Sequence, residues 1–177
     1  MVQSNMKCKY NLSIYDASKG INADKVYHLM MEEVGIKEVF GGRLDRYMNS
    51  AYSYIINASN EDAGFFNLVV EKANTNFLFL DMGIKHKFRN QGIGKEIMEY
   101  VAASDIKEPI IGETKISNIG ANRIASEVGK FLFTLEDRNI YLIQKEKEEA
   151  FLQNNGIERL KEHFDREDDK SLILRYK

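Results

Sequence analysis

Leu80-Asp81-Met82-Gly83-Ile84-Lys85-His86-Lys87-Phe88-Arg89-Asn90-Gln91-Gly92-Ile93-Gly94-Lys95 joins the end of an apolar run to a basic loop and to two glycines separated by one residue. Upstream, Phe77-Leu78-Phe79-Leu80 is apolar at both parities, which predicts a central strand covered on both faces. Downstream, Ile97, Met98, Val101 and Ala102 recur at helical spacing. A buried strand, a tight turn and a helix start in this order form a cradle for phosphate. Side chains missing at Gly92 and Gly94 let a ligand approach the backbone, N–H groups converge, and the helix N-terminus adds roughly half a positive charge. Arg89 and Lys95 reinforce the field. A P-loop is excluded, since it needs four residues between its glycines and then Lys-Ser or Lys-Thr. A dinucleotide fingerprint fails too, because Ile97 stands where its third glycine belongs. The remaining alternative is a strand-to-helix turn whose glycines serve packing alone.

Working outward, Tyr10 to Tyr15 alternates at the strand period, and Val26, Leu29, Met30 and Val34 predict a helix with Asn22 as its N-cap and Gly35 as its stop. Val39 to Asn49, with Gly41-Gly42, reads as a loop, with a short second helix as the alternative. Tyr52 to Asn57, Phe65 to Glu71 and Asn76 to Ile84 are three β-rich runs, separated by turns at Asn60 to Gly64 and Ala73 to Thr75. They predict an antiparallel meander. Beyond the glycines, Pro109 precedes a strand from Ile110 to Ile116, and Asn118 opens a helix that Gly129 stops. Strands at Phe131 to Leu135 and Asn139 to Ile143 follow. The expectation is an α/β fold, a mixed central sheet with helices on both faces. All 177 residues read as one domain, with 147–170 as a helical insertion before a last strand at Leu172 to Tyr176. That strand closes the sheet or pairs with another subunit, which leaves a homodimer open.

Composition narrows the function. Twenty-seven Asp and Glu against 25 Lys and Arg give a formal charge of −2, so no global positive field exists to gather a nucleic acid. No apolar run approaches the ~20 residues of a membrane span and the first residues lack a signal-peptide stretch, so a cytoplasmic protein without a membrane partner is expected. Cys8 stands alone, and His28, His86 and His163 lie far apart in sequence, so neither a disulfide nor a metal site is expected.

Phe88 followed by Arg89-Asn90-Gln91-Gly92-Ile93-Gly94, with Ile84 at the strand end, resembles the coenzyme-A-binding motif of the GNAT acetyltransferase superfamily. Asn118, Ala121 and Gly129 match the spacing of that family's second motif, and the element order from Tyr10 to Ile143 is similar to its fold. The resemblance implies the GNAT acyl-CoA N-acyltransferase fold and acetyl-CoA as cosubstrate. Its pyrophosphate would be held by amides of Arg89, Asn90, Gln91, Gly92, Ile93, Gly94 and Lys95, and its arm by the edge of the strand through Met82 and Ile84. A backbone N–H near Met82 or Ile84 would polarise the thioester at a split beside Ile110 to Ile116. The resemblance implies an N-acetyltransferase in which a primary amine attacks directly, the acceptor being a small molecule or a protein N-terminus. The acceptor pocket would come from Val26 to Asn49 and the region after Phe131.

The sequence departs from the family at Ala125, where many members carry a tyrosine that protonates the departing thiolate. Glu113 as a base through water and Ser126 as an acid are the remaining catalytic candidates, each with a solvated surface role as its alternative. Asn118 is a cofactor-contact candidate and equally a helix N-cap. His86 lies in the basic loop and reads as a solvent or phosphate contact. A catalytically silent acyl-CoA binding or sensing module is the competing reading.

Overall fold

The computed structural model describes residues 11–16, 21–32, 50–70 and 76–164. Seven strands form one mixed sheet: β1 (Leu12–Asp16), β2 (Ser50–Ala58), β3 (Glu61–Val69), β4 (Leu78–Ile84), β5 (Ile110–Lys115), β6 (Lys130–Leu135) and β7 (Arg138–Leu142), in the order β1-β2-β3-β4-β5-β7-β6. β2 to β4 are the expected antiparallel meander, and β1 pairs antiparallel with β2 at its edge. β4 and β5 run parallel, joined by the crossover helix α2 (Ile93–Ala102). β5 then pairs antiparallel with β7, and β7 with β6.

Alternation along the strands builds a core on each face. Leu78 and Leu80 join Phe66, Ile97, Val101 and Ile110 under α2 and α3 (Ile119–Val128). Phe77 and Phe79 pack with Ile111 and Leu142 on the other face, beneath α4 (Glu148–Gln153) and the helix α5 at 156–164. β4 is therefore covered on both sides, as its unbroken apolar run requires. On that second face α1 (Ile21–Glu32) sets Val26, Leu29 and Met30 against Ile55 and Phe65.

Three boundaries differ from expectation. The turn predicted over Asn60 to Gly64 is only Ser59-Asn60, both left-handed at φ 52° and 66°, and Glu61 to Gly64 already belong to β3. Gly64 is a close-approach residue: a Cβ there would lie 2.1 Å from the Gly83 carbonyl oxygen. α1 starts at Ile21, which puts Asn22 inside its first turn and not at its cap. β5 ends at Lys115, because Ile116 turns away toward α3. Cys8, the loop at Val39 to Asn49, Gly35, the Ala73 to Thr75 turn and the last strand at Leu172 to Tyr176 lie outside the described residues. α4 and α5 fall within the stretch read as a helical insertion.

Candidate active site

The parallel pairing of β4 with β5 lasts three residues: Leu78 opposite Ile110, Phe79 opposite Ile111 and Leu80 opposite Gly112. Beyond them β4 stays with β3 as far as Ile84, and β5 stays with β7 as far as Lys115. The strands fork, and each is held by its other neighbour. The Leu78 N–H donates to Pro109 on the β5 side at 3.0 Å, whereas the Lys85 N–H donates to Ala63 on the β3 side at 2.9 Å. Strand alternation then directs the N–H groups of Met82 and Ile84 into the fork. Arg89 Nε donates to the Ile84 carbonyl oxygen there at 2.9 Å.

The chain leaves β4 through a 3-10 turn at His86–Phe88, whose Phe88 is buried and whose His86 is exposed. Asn90 and Gly92 are both left-handed, at φ 60° and 87°. Gly92 is the N-cap of α2 and lends it no side-chain hydrogen bond. The first intrahelical bond runs from Glu96 N–H to the Gly92 carbonyl at 3.1 Å, so the amides of Ile93, Gly94 and Lys95 have no partner within the helix. The Ile93 side chain is buried, leaving its amide as what it can offer a ligand. Gly94 differs from the expectation that its missing side chain admits a ligand: a Cβ there would meet Ile84, Ile124 and Met82 at 3.5–3.7 Å, so it faces protein. Gln91 Nε2 donates to the Lys87 carbonyl at 2.7 Å, closing the loop on itself. Lys95 pairs with Glu127 of α3 at 2.6 Å, which holds the lysine above and the carboxyl below their ordinary pKa values.

On α3, the Asn118 side chain accepts from the Ala121 N–H at 3.2 Å, the geometry of an N-cap. Ala125 is buried in the core. Ser126 is exposed and donates to the Arg123 carbonyl of its own helix at 2.9 Å. Glu113, on β5, forms an ion pair with Arg138 of β7. Burial works against the Arg138 cation, but Glu113, Asp137 and Glu136 more than offset it and raise its pKa.

Sequence reading passed over three residues that shape the fork. Asn122 donates through Nδ2 to the carbonyls of Lys115 at 2.8 Å and Asn118 at 2.9 Å, and its Oδ1 accepts from Asn139 at 2.8 Å and Tyr141 at 3.0 Å. It fastens the open end of β5 to α3 and β7. Asp81 and Asn67 are register partners on β4 and β3, only 6% and 0% exposed. Their signal was visible as one polar residue inside each of two apolar runs. Among the described residues no three His, Cys, Asp or Glu side chains converge as a metal would need, and no helix is long and apolar enough to cross a membrane.

This fold recurs in solved structures. A GNAT family acetyltransferase from Elizabethkingia anophelis, determined with acetyl-CoA bound, matches with TM-score 0.53 at 18% identity over 74% of this chain and 96% of that one. The fold is that of the GNAT acetyltransferases. RimL, a ribosomal L7/L12 alpha-N-protein acetyltransferase, shares the GNAT fold with TM-score 0.50 and 19% identity over 75% of this chain and 93% of its own. A chimera of the Vibrio cholerae spermidine N-acetyltransferase SpeG matches with TM-score 0.53 and 11% identity, over 76% and 96%. No protein-family model matches the chain, and no curated protein matches it in sequence.

Proposed function

We propose that this chain is an N-acetyltransferase that carries an acetyl group from acetyl-CoA to a primary amine of a small molecule or a protein N-terminus, by direct attack. The observation that carries this reading is the fork, with the N–H groups of Met82 and Ile84 turned into it, opening toward the glycine-capped start of α2. An extended pantetheine arm would complete the open edge of β4 as a further strand does. The pyrophosphate would rest on the amides of Gly92, Ile93, Gly94 and Lys95, which are oriented by two left-handed residues and reinforced by the helix dipole. Acetyl-CoA supplies the activated acyl group. The chain's own part is to hold the thioester carbonyl against a fixed N–H of β4, where negative charge develops as the amine adds.

The structural neighbour with acetyl-CoA bound supports this choice of donor. Neighbours that act on a protein α-amine and on spermidine both share the fold, so the fold leaves the acceptor open between peptide and polyamine. With Ala125 at the position of the usual tyrosine, the thiolate takes its proton from another source, for which Ser126 is the candidate on the same helix. Isothermal calorimetry with acetyl-CoA tests the donor: the wild type binds, and Gly92→Glu does not. Absence of wild-type binding sinks the assignment. Thiol release across a panel of amines then separates a transferase from a silent acyl-CoA sensor, for which uniform silence is the signature.

A further inference from the structure

On the face of the sheet opposite α2, helix α1 closes β2 and β3 by setting Val26, Leu29 and Met30 against Ile55 and Phe65. On the α2 face the same two strands end in an open run of aromatic rings. The Tyr100 ring of α2 meets Phe66 of β3 edge-on at 6.2 Å, and Phe66 stacks on Tyr54 of β2 at 4.6 Å. Alternation puts Tyr52 on the same face as Tyr54, and the register sets Asp16 of β1 directly opposite Tyr54. Tyr52 and Tyr100 stay 41% and 45% exposed. The three tyrosines form a shelf reaching from β2 to the flank of α2.

The charge around this shelf has one sign. β1, β2 and β3 contain no lysine, arginine or histidine. Glu96 stands one turn before Tyr100 on the same flank of α2, and among the described residues its Oε2 accepts no hydrogen bond. Lys95 lies on the other flank, held by Glu127 of α3. Glu61 and Asp62, at the far end of β3, are engaged by Lys87 and Lys25. Burial first, and then Tyr100, Asp16 and Tyr52, push the Tyr54 phenol above its ordinary pKa, so these four groups share one electrostatic neighbourhood.

We infer that this shelf docks an arginine-bearing segment of another protein. Exposed tyrosine faces attract a guanidinium through their quadrupole and stack on its plane, while flanking carboxylates accept its forked N–H groups. Tyrosine also offers a large, rigid contact surface with few rotors to freeze, which suits a protein interface. An ammonium gains the charge attraction without the planar stacking, so arginine fits better than lysine. A second copy of this chain fits poorly: a two-fold contact through the shelf would set Asp16 and Glu96 against their own equivalents. This docking role goes beyond acetyl transfer and does not depend on it.

The test uses the full chain labelled with fluorotyrosine, its ring resonances assigned through Tyr52→Phe, Tyr54→Phe and Tyr100→Phe. The probe is a blocked peptide that alternates arginine and leucine, compared with versions carrying lysine or glutamate in place of arginine. The arginine peptide should shift the Tyr52 and Tyr100 resonances, the lysine peptide should bind about threefold more weakly, and the glutamate peptide should not bind. Tyr52→Ser combined with Tyr100→Ser should weaken the arginine peptide roughly tenfold or more. Asp16→Asn combined with Glu96→Gln should weaken it about fivefold, and this pair decides the matter if the serine pair does not fold. Glu136→Gln combined with Asp137→Asn removes the same charge at the β6–β7 turn and should change affinity less than about twofold. Absence of binding, shifts confined to other tyrosines, equal binding of the glutamate peptide or equal losses in the two charge variants would each overturn the inference. So would self-association that the serine pair abolishes, since the shelf would then belong to a second copy.

Discussion

The two faces of the fork are made by different means. What the α2 face presents is main chain: two left-handed residues, three helix amides without intrahelical partners, and an open strand edge. What the opposite face presents is side chains, with Asp81 and Asn67 in the sheet interior and Glu113 tied to Arg138. A main-chain site depends on conformation and tolerates most exchanges that leave φ and ψ alone. A side-chain site depends on one or two groups and tolerates almost none.

The largest effect expected on the main-chain face comes from Gly92→Glu. A side chain at φ 87° carries strain of about 1–2 kcal/mol, and it intrudes where a phosphate would lie. Acetyl-CoA affinity should fall roughly a hundredfold, about 2.7 kcal/mol by calorimetry. A loss of turnover with affinity intact would erase the distinction between the faces. Next is Asn122→Ala, which frees the end of β5 and leaves Tyr141 and Asn139 short of an acceptor; about 2–3 kcal/mol of stability should go, seen as a Tm lower by roughly 5–10 °C. Asn118→Ala removes one cap and should cost about 1 kcal/mol in urea unfolding. If acetyl-CoA affinity also drops by more than about threefold, Asn118 touches the cofactor as well as the helix.

Gly94→Ala sharpens the contrast through its sign. Its Cβ finds ordinary contacts and its backbone is helical, so the variant should bind acetyl-CoA normally and gain roughly 0.5 kcal/mol. Two glycines two positions apart would then do unrelated jobs. The smallest effect belongs to Lys95→Ala, which breaks an exposed pair with Glu127 and should move Tm by less than about 1 °C in a thermal melt. What that pair contributes is present at neutral pH. It fades as pH falls through the lowered Glu127 value, and again as pH rises through the raised Lys95 value.

The contrast also explains what could be read from the chain beforehand. Glycine spacing, a basic loop and a following helical period are local, so the α2 turn, the meander and the element order were legible from Arg89-Asn90-Gln91-Gly92-Ile93-Gly94 and its neighbours. Asn67 and Asp81 meet only through the β3–β4 register, 14 positions apart along the chain and invisible to any local window. Glu113 drew attention as the carboxylate on the expected strand, yet Arg138, which engages it, comes from a strand three elements later. Gly64 looked like turn chemistry until β4 approached it. Asn122 looked like an unremarkable helix position, because its five bonds reach groups on β5, β7 and its own helix start.

The brevity of the β4–β5 contact has a mechanical side. Residues 50–84 build one half of the sheet from sequence-local hairpins, and 110–142 build the other half; three residue pairs and the α2 crossover join them across the middle. Such a seam is where a sheet should part first under load or partial denaturation, each half opening as its own cooperative unit. A molecule lodged along the seam acts as a clasp, and amide protons in β4 and β5 should then exchange at a common, slower rate while those of β1 keep their own.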